Sequence, residues 1–224
     1  MSVGGLQQLL ASWLAGFVSG FVVCLPIGPV NLTVINTALR KGFLLAFLVG
    51  CGAVCADVVY VSLAMAGHAA LPRDPRWLTA VRGLAVVVVA GLGIRNLLLK
   101  TERFEARSEA VAQRVDARWH HPRSVLLGFL LPISNLGLLV VWATVVTALE
   151  ARGWVDTNVR ASRWLCVFGV GTGAMAWFFL IAWTVSRAHK RIAPEALTWL
   201  ARGCGVAFLI FAALLALKLP APEN

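Results

Sequence analysis

The chain has 224 residues, 59% of them hydrophobic and 13% charged, with a mean hydropathy of +0.81. A soluble domain is about half apolar and about a quarter charged, which excludes a typical soluble enzyme, a disordered chain and a disulfide-rich secreted module. The net charge of +10 would suggest nucleic acid in a soluble protein, but here Lys and Arg cluster between apolar runs as in cytoplasmic membrane loops, and no nucleic-acid partner is expected.

A membrane-crossing helix needs roughly 20 mainly apolar residues. Six runs qualify, at about Leu9–Leu25, Phe43–Gly67, Leu78–Leu99, Ser124–Leu149, Trp164–Ser186 and Thr198–Leu219. The first lacks a basic n-region and leads into Pro26-Ile27-Gly28-Pro29 rather than a cleavage site, so it reads as a span and not as a signal peptide. Beyond that break it continues to about Leu39. Between the third and fourth runs, Phe104, Val111, Val115 and Trp119 form one stripe flanked by Arg103, Arg107, Arg114 and Arg118. This predicts a helix lying on the inner membrane face against anionic lipid, with a solvated charged linker as the alternative. The expected fold class is an all-α integral membrane protein, one domain over residues 1–224. It holds a first repeat at about 6–99, a linker at 100–123 and a second repeat at about 124–219.

The repeat rests on three blocks in the same order. Gly20-Phe21 through Leu25-Pro26-Ile27 faces Gly128-Phe129 through Leu131-Pro132-Ile133, two residues shorter. Val49-Gly50-Cys51-Gly52-Ala53 faces Val170-Gly171-Thr172-Gly173-Ala174, and Arg82-Gly83 faces Arg202-Gly203. Three spans per copy make the second copy enter from the opposite side, giving six transmembrane helices as two inverted three-helix repeats. That is an architecture of secondary transporters, with the site where broken helices meet near the midplane.

The prolines mark those breaks, at Pro26-Pro29 and Pro132-Asn135. Proline removes a donor and clashes with the carbonyl four residues back, so Pro26 frees the carbonyl of Val22, Pro29 that of Leu25 and Pro132 that of Gly128. Such groups are tolerated in hydrocarbon only where protein or water satisfies them. Helices restarting near Asn31 and Asn135 would aim free N–H groups at a cavity, which suits a carboxylate. Pro26, Gly28, Pro29 and Asn31 at the first break, and Pro132, Ser134 and Asn135 at the second, are therefore candidate substrate- or ion-binding residues.

Asp57 is the acid well inside a span, ten residues from Gly67, or about 15 Å at 1.5 Å per residue. An intramembrane acid is a functional candidate by default, here as an acceptor of a proton or of a substrate ammonium. The competing structural role is a salt bridge to Arg82, about 9 Å away in depth. Tyr60 lies on the adjoining face and is a candidate lining residue, with packing as the alternative. Arg82, Arg95 and Arg202 read as snorkelling side chains at span ends. Gly52/Ala56 and Gly169/Gly173 read as close-packing positions, and the nine Trp as interfacial anchors.

The five Cys lie in or beside apolar runs, so no loop disulfide framework is expected. Cys51 and Cys55 share a helix face and suit a soft metal ion, which makes heavy-metal efflux the alternative function. Cys24 resembles one half of a membrane thiol relay, but Leu130 stands at the repeat-matched position where a second thiol would be needed. The four His lie outside the spans. No phosphate-binding loop is present, so no cofactor, no metal site and no enzymatic catalysis is expected. Transport would draw on an ion gradient, with a proton or sodium as the coupling ion.

The motif Pro26-Ile-Gly-Pro-Val-Asn31 is followed by Arg40-Lys41-Gly42-Phe43, by Gly50-x-Gly52 with Ala56-Asp57-Val58-Val59-Tyr60, and by Gly91-x-Gly93-Ile-Arg95. With Pro132-Ile-Ser-Asn135 in the second half, this pattern resembles the lysine-exporter (LysE/RhtB) family of amino-acid exporters over nearly the whole chain. That family usually has Asn-Pro where this chain has Ser134-Asn135, and some of its exporters of basic amino acids carry an Asp soon after; Leu136 to Val141 holds no acid. The resemblance implies efflux of amino acids or close analogues across a bacterial cytoplasmic (inner) membrane. The expected partners are a small-molecule substrate, the coupling ion, membrane lipid and a second copy of the chain in a homodimer.

Orientation follows from the basic residues. Loops after spans one, three and five hold Arg40, Lys41, Lys100, Arg103, Arg107, Arg114, Arg118, Arg123, Arg187, Lys190 and Arg191. The other side holds Arg73, Arg76, Arg152, Arg160, Arg163 and Lys218. The excess places residues 100–123 in the cytoplasm and both termini outside. In a Cys-free background, Ser2→Cys is expected to react with a membrane-impermeant maleimide in intact cells, and Ser108→Cys is not. Labelling at Ser108 without labelling at Ser2 would reverse the orientation.

Overall fold

The structure is a computed structural model. It describes residues 3–26, 28–70, 121–133 and 135–187, together with isolated helical positions between 83 and 98 and between 202 and 213. Among the described residues every element is helical: α1 (Val3–Cys24), α2 (Pro29–Lys41), α3 (Phe43–Ala70), α4 (His121–Ile133), α5 (Leu136–Ala151) and α6 (Arg160–Arg187). Three stretches are long and apolar enough to cross a membrane: Gly5–Cys24, Phe43–Gly67 and Arg160–Arg187. Ser124–Ile133 and Gly137–Ala151, bent by 75° at their break, pass the same test only as a pair, the pattern of a broken span or a re-entrant loop. Residues 100–120 of the linker expected at 100–123 lie outside the described residues, as do most of the third and sixth runs.

The first break follows from its two prolines. The carbonyl of Val22, which Pro26 leaves without its usual partner, accepts instead from the N–H of Leu25 at 3.2 Å. The chain leaves the helix there, passes through Gly28 in an extended conformation and restarts with Pro29 in the first turn of α2. Pro29 therefore starts a helix rather than interrupting one, because its missing donor and fixed φ suit the first turn. The expected loss at the Leu25 carbonyl does not arise, since Leu25 is already outside α1. Pro132 behaves differently: it is buried inside α4, one residue from its end.

α2 is short and enclosed. Asn31 through Ala38 are all buried, although four of these eight residues are Asn or Thr. Such a helix must be surrounded by protein, and its hydroxyls turn back on its own carbonyls, Thr33 to Pro29 at 2.7 Å and Thr37 to Thr33 at 2.6 Å. It stops at Gly42, whose φ of 82° favours glycine and whose N–H closes on Ala38 O at 3.1 Å. α3 begins at the next residue.

Glycines set the long crossings. A Cβ on Gly20 would collide with the Val170 backbone, and one on Gly128 with the Val49 backbone. A Cβ on Gly173 would collide with Phe17 O, and one on Gly52 with Val125 O. α1 thus packs backbone to backbone on α6, and α3 on α4. The residues in contact are those the sequence repeat pairs: Gly20 with Gly128, Val49 with Val170, and Gly52 with Gly173. A smaller crossing joins the isolated helical positions, where a Cβ on Gly205 would lie 2.8 Å from Gly93 O.

The ends are tied by short polar bonds. Ser12 Oγ of α1 lies 2.8 Å from Ser162 Oγ of α6, and Ser162 Oγ accepts from the Asp156 N–H at 2.9 Å. Gln8 Nε2 donates to Gly153 O at 2.9 Å.

Gly128→Ala and Gly20→Ala are expected to destabilise the detergent-solubilised protein by about 1–3 kcal/mol through overpacking. Gly67→Ala meets no atom within 4 Å and is expected to be neutral or slightly stabilising, because helical glycine costs about 0.5–1 kcal/mol relative to alanine. Thermal unfolding compares the three; equal midpoints would contradict the close crossings.

Candidate functional site

Asp57 sits near the middle of α3 and is 5% exposed. Two side chains, one from α1 and one from α5, hold its carboxylate. Trp142 of α5, fully buried, donates its indole N–H to Oδ1 at 3.1 Å. The thiol of Cys24, the last residue of α1, points at Oδ2 at 3.5 Å. Both donors are neutral, so among the described residues the carboxylate has hydrogen bonds but no compensating charge. A buried charge of this kind requires a partner of opposite sign or a proton. Arg82, its expected structural partner, lies outside the described residues.

The breaks on either side are closed by side chains. At the first, Asn31 of α2 reaches back with Nδ2 to the carbonyls of Cys24 (2.8 Å) and Pro26 (2.7 Å). Its Oδ1 accepts from the indole N–H of Trp177 on α6 at 3.1 Å. At the second, the Tyr60 hydroxyl of α3 donates to Ile133 O at 2.7 Å, with Pro132 O 3.4 Å away. Each break is thus pinned by a side chain that satisfies the last carbonyls of a helix end. Asp57 and Tyr60, three residues apart on α3, therefore reach both broken spans.

The helix restarts remain open in a complementary sense. Neither Gly28 at the start of α2 nor Asn135 at the start of α5 caps its helix through a side chain. Gly28 has nothing within 4 Å of where a Cβ would stand, and Asn135 is exposed, its own N–H bonded to Pro132 O at 2.8 Å. A helix start with uncapped N–H groups attracts anions. Pro29 is exposed at the first restart and Pro26 is half-buried in the bend. Ser134 lies outside the described residues. Of the expected site residues, the structure brings Asp57, Tyr60, Asn31 and Pro132 into one buried region spanning both breaks.

Three members of this region were not among the expected site residues. Trp142 and Trp177 read in sequence as membrane-interface anchors, yet both lie in the body of an apolar run. A tryptophan buried there needs a partner for its N–H, which was the available signal. In sequence Cys24 reads only as one half of a redox pair. The Cys51 thiol of the soft-metal alternative points at Met175 Sδ, 3.7 Å away, while Cys55 is exposed. Among the described residues no three His, Cys, Asp or Glu side chains converge.

Comparison with known proteins places the chain among membrane transporters. YcgF of Bacillus subtilis, whose name describes an amino acid efflux protein, is 25% identical over 201 residues, covering 89% of this chain and 92% of YcgF. The arginine exporter protein ArgO of Salmonella enteritidis is 26% identical over 185 residues, 80% of this chain and 82% of that protein. ArgO of Enterobacter sp. is 25% identical over 199 residues, 86% and 88% of the two chains. No solved structure matches. The family model described as LysE type translocator matches residues 21–219. These helices, with their two breaks around one buried acid, belong to a multi-pass membrane transporter, and the chain is a member of the LysE type translocator family.

Proposed function

We propose that this protein exports amino acids or close analogues across the bacterial cytoplasmic membrane as a secondary transporter coupled to a proton or sodium gradient, and that Asp57 is the group whose charge is alternately exposed and neutralised. The observation that carries the reading is the placement of Asp57 between the two breaks, bonded to Trp142 on one side and Cys24 on the other. An amino acid carries an ammonium and a carboxylate on neighbouring atoms. An acid with uncompensated charge beside two uncapped helix starts offers one partner for each. The relatives that bear the names of amino acid efflux and arginine exporter proteins support that substrate class.

The proposal includes the six-span inverted repeat. The matched pairs Gly20–Val170 and Gly128–Val49, and Gly173–Phe17 and Gly52–Val125, support it, because a two-fold relation between the halves would generate one set of contacts from the other. In this scheme Asn31 and Tyr60 fix the shape of the breaks, and the first turns of α2 and α5 receive the substrate carboxylate. The substrate ammonium or a coupling proton meets Asp57. Trp142 fixes the carboxylate's orientation, and no chemical bond is made or broken in the substrate.

Asp57→Asn is expected to insert normally, since it removes an intramembrane charge, and to lose gradient-driven efflux from loaded proteoliposomes. Asp57→Glu should keep part of the activity with an altered pH profile. Trp142→Phe should keep the fold but lower transport, through loss of the indole donor. A merely structural acid predicts the opposite pattern: a destabilised Asp57→Asn, rescued in folding and transport by adding Arg82→Gln. Full efflux by Asp57→Asn, or that rescue, would remove Asp57 from the mechanism.

A further inference from the structure

A second polar site lies at the rim of the bundle, away from Asp57. An open cleft of about 430 Å³ separates the last turns of the α3 span from the first turns of α6, lined by Ser62, Met65 and Ala66 on one side and Arg160, Arg163 and Trp164 on the other. It lies at the end of α3 opposite to Arg40 and Lys41. Arg163 Nε is shut off from solvent with no hydrogen-bond partner among the described residues. Arg152 stacks over Trp154 at 5.1 Å, Glu150 Oε1 accepts from Thr157 at 2.6 Å, and Asp156 Oδ1 accepts from the Asn158 N–H at 2.9 Å. The first turn of α6 holds no acid. Arg160 and Arg163 stand one turn apart at the positive end of the helix dipole, an arrangement that an anion would stabilise.

The surroundings identify that anion. The cleft opens where two membrane-crossing stretches, Phe43–Gly67 and Arg160–Arg187, end and begin. This is the headgroup level. Below the arginines the wall is apolar, with Met65 and Val167, and the outward face carries Trp164 and Phe168, each 63% exposed. Exposed tryptophan at a span end sits in the interfacial belt. A soluble anion would use the two guanidinium groups alone, whereas a phospholipid would use the charged rim and the greasy wall together. We propose that this cleft binds an anionic phospholipid, its phosphate held between Arg160 and Arg163 and its glycerol and upper acyl chain laid along Trp164 and Val167. Arginine favours phosphate through its planar fork of donors.

Native mass spectrometry of the detergent-solubilised protein titrated with phosphatidylglycerol or phosphatidylcholine tests this. The unmodified protein is expected to hold one phosphatidylglycerol at least about tenfold more tightly than phosphatidylcholine, tenfold being about 1.4 kcal/mol. Arg160→Gln with Arg163→Gln should lose that one lipid, and Arg152→Gln, whose side chain is stacked on Trp154, should keep it. If the double variant fails to fold, Arg160→Gln alone, at an exposed position, is expected to weaken the same lipid. Equal retention of the two lipids, or unchanged retention in the arginine variants, would overturn the proposal. Displacement of the lipid by inorganic phosphate alone would overturn it too, by assigning the cleft to soluble anions.

Discussion

Backbone satisfaction at two proline breaks is the constraint around which the bundle is arranged. Inside hydrocarbon a helix meets all its own backbone needs and a broken helix does not. Each break leaves terminal carbonyls that water cannot reach from the lipid side. Asn31 takes those of Cys24 and Pro26, and Tyr60 takes that of Ile133. Trp177 then orients Asn31 by donating to its oxygen. Because Tyr60 belongs to α3 and Trp177 to α6, neither break can be closed without the long helices beside it. α2, with polar residues buried along its length, folds only inside such a shell.

This explains which parts were legible in sequence. Pro26 and Pro132 predict breaks because a missing N–H is a local property that no tertiary context repairs. Asp57 stands out because an acid is costly at that depth whatever surrounds it. The glycine blocks are readable as a repeat because close backbone approach tolerates no other residue. Trp142 and Trp177 were misplaced at the interface because composition cannot tell an indole facing headgroups from one facing a buried carboxylate or amide. Pro29 was read as a second interruption because the pattern of prolines does not say where the first helix has already stopped. Arg82 and Ser134, on which two of the sequence expectations rest, lie outside the described residues.

The glycine crossings also separate the stiff parts of the bundle from the adjustable ones. α1 on α6 and α3 on α4 touch backbone to backbone, so each pair can slide or tilt as a unit but cannot open without losing its densest packing. α2 and α5, which begin at the breaks, meet those pairs through side chains, in the apolar clusters around Val34 and Val145 and through the polar bonds of Asn31 to Trp177 and Trp142 to Asp57. A hydrogen bond through a side chain tolerates a change of angle that a glycine crossing does not. If access to Asp57 alternates between the two sides, the movement is most easily absorbed at these side-chain attachments.

The energetics of Asp57 show why such an attachment suits a transporter. An aspartate at a helix centre costs about 2.5–3.5 kcal/mol on insertion scales. A hydrogen bond to a charged group contributes about 1.5–3 kcal/mol, so the indole of Trp142 alone offsets much of the insertion cost, and the Cys24 thiol adds a weaker donor. The indole and the thiol therefore offset part of that cost, while the charge stays uncompensated among the described residues. A fixed Lys or Arg beside it would compete with any cationic cargo. Neutral donors hold the carboxylate in place, which under the proposed mechanism would leave its charge to a cation or proton that arrives and departs.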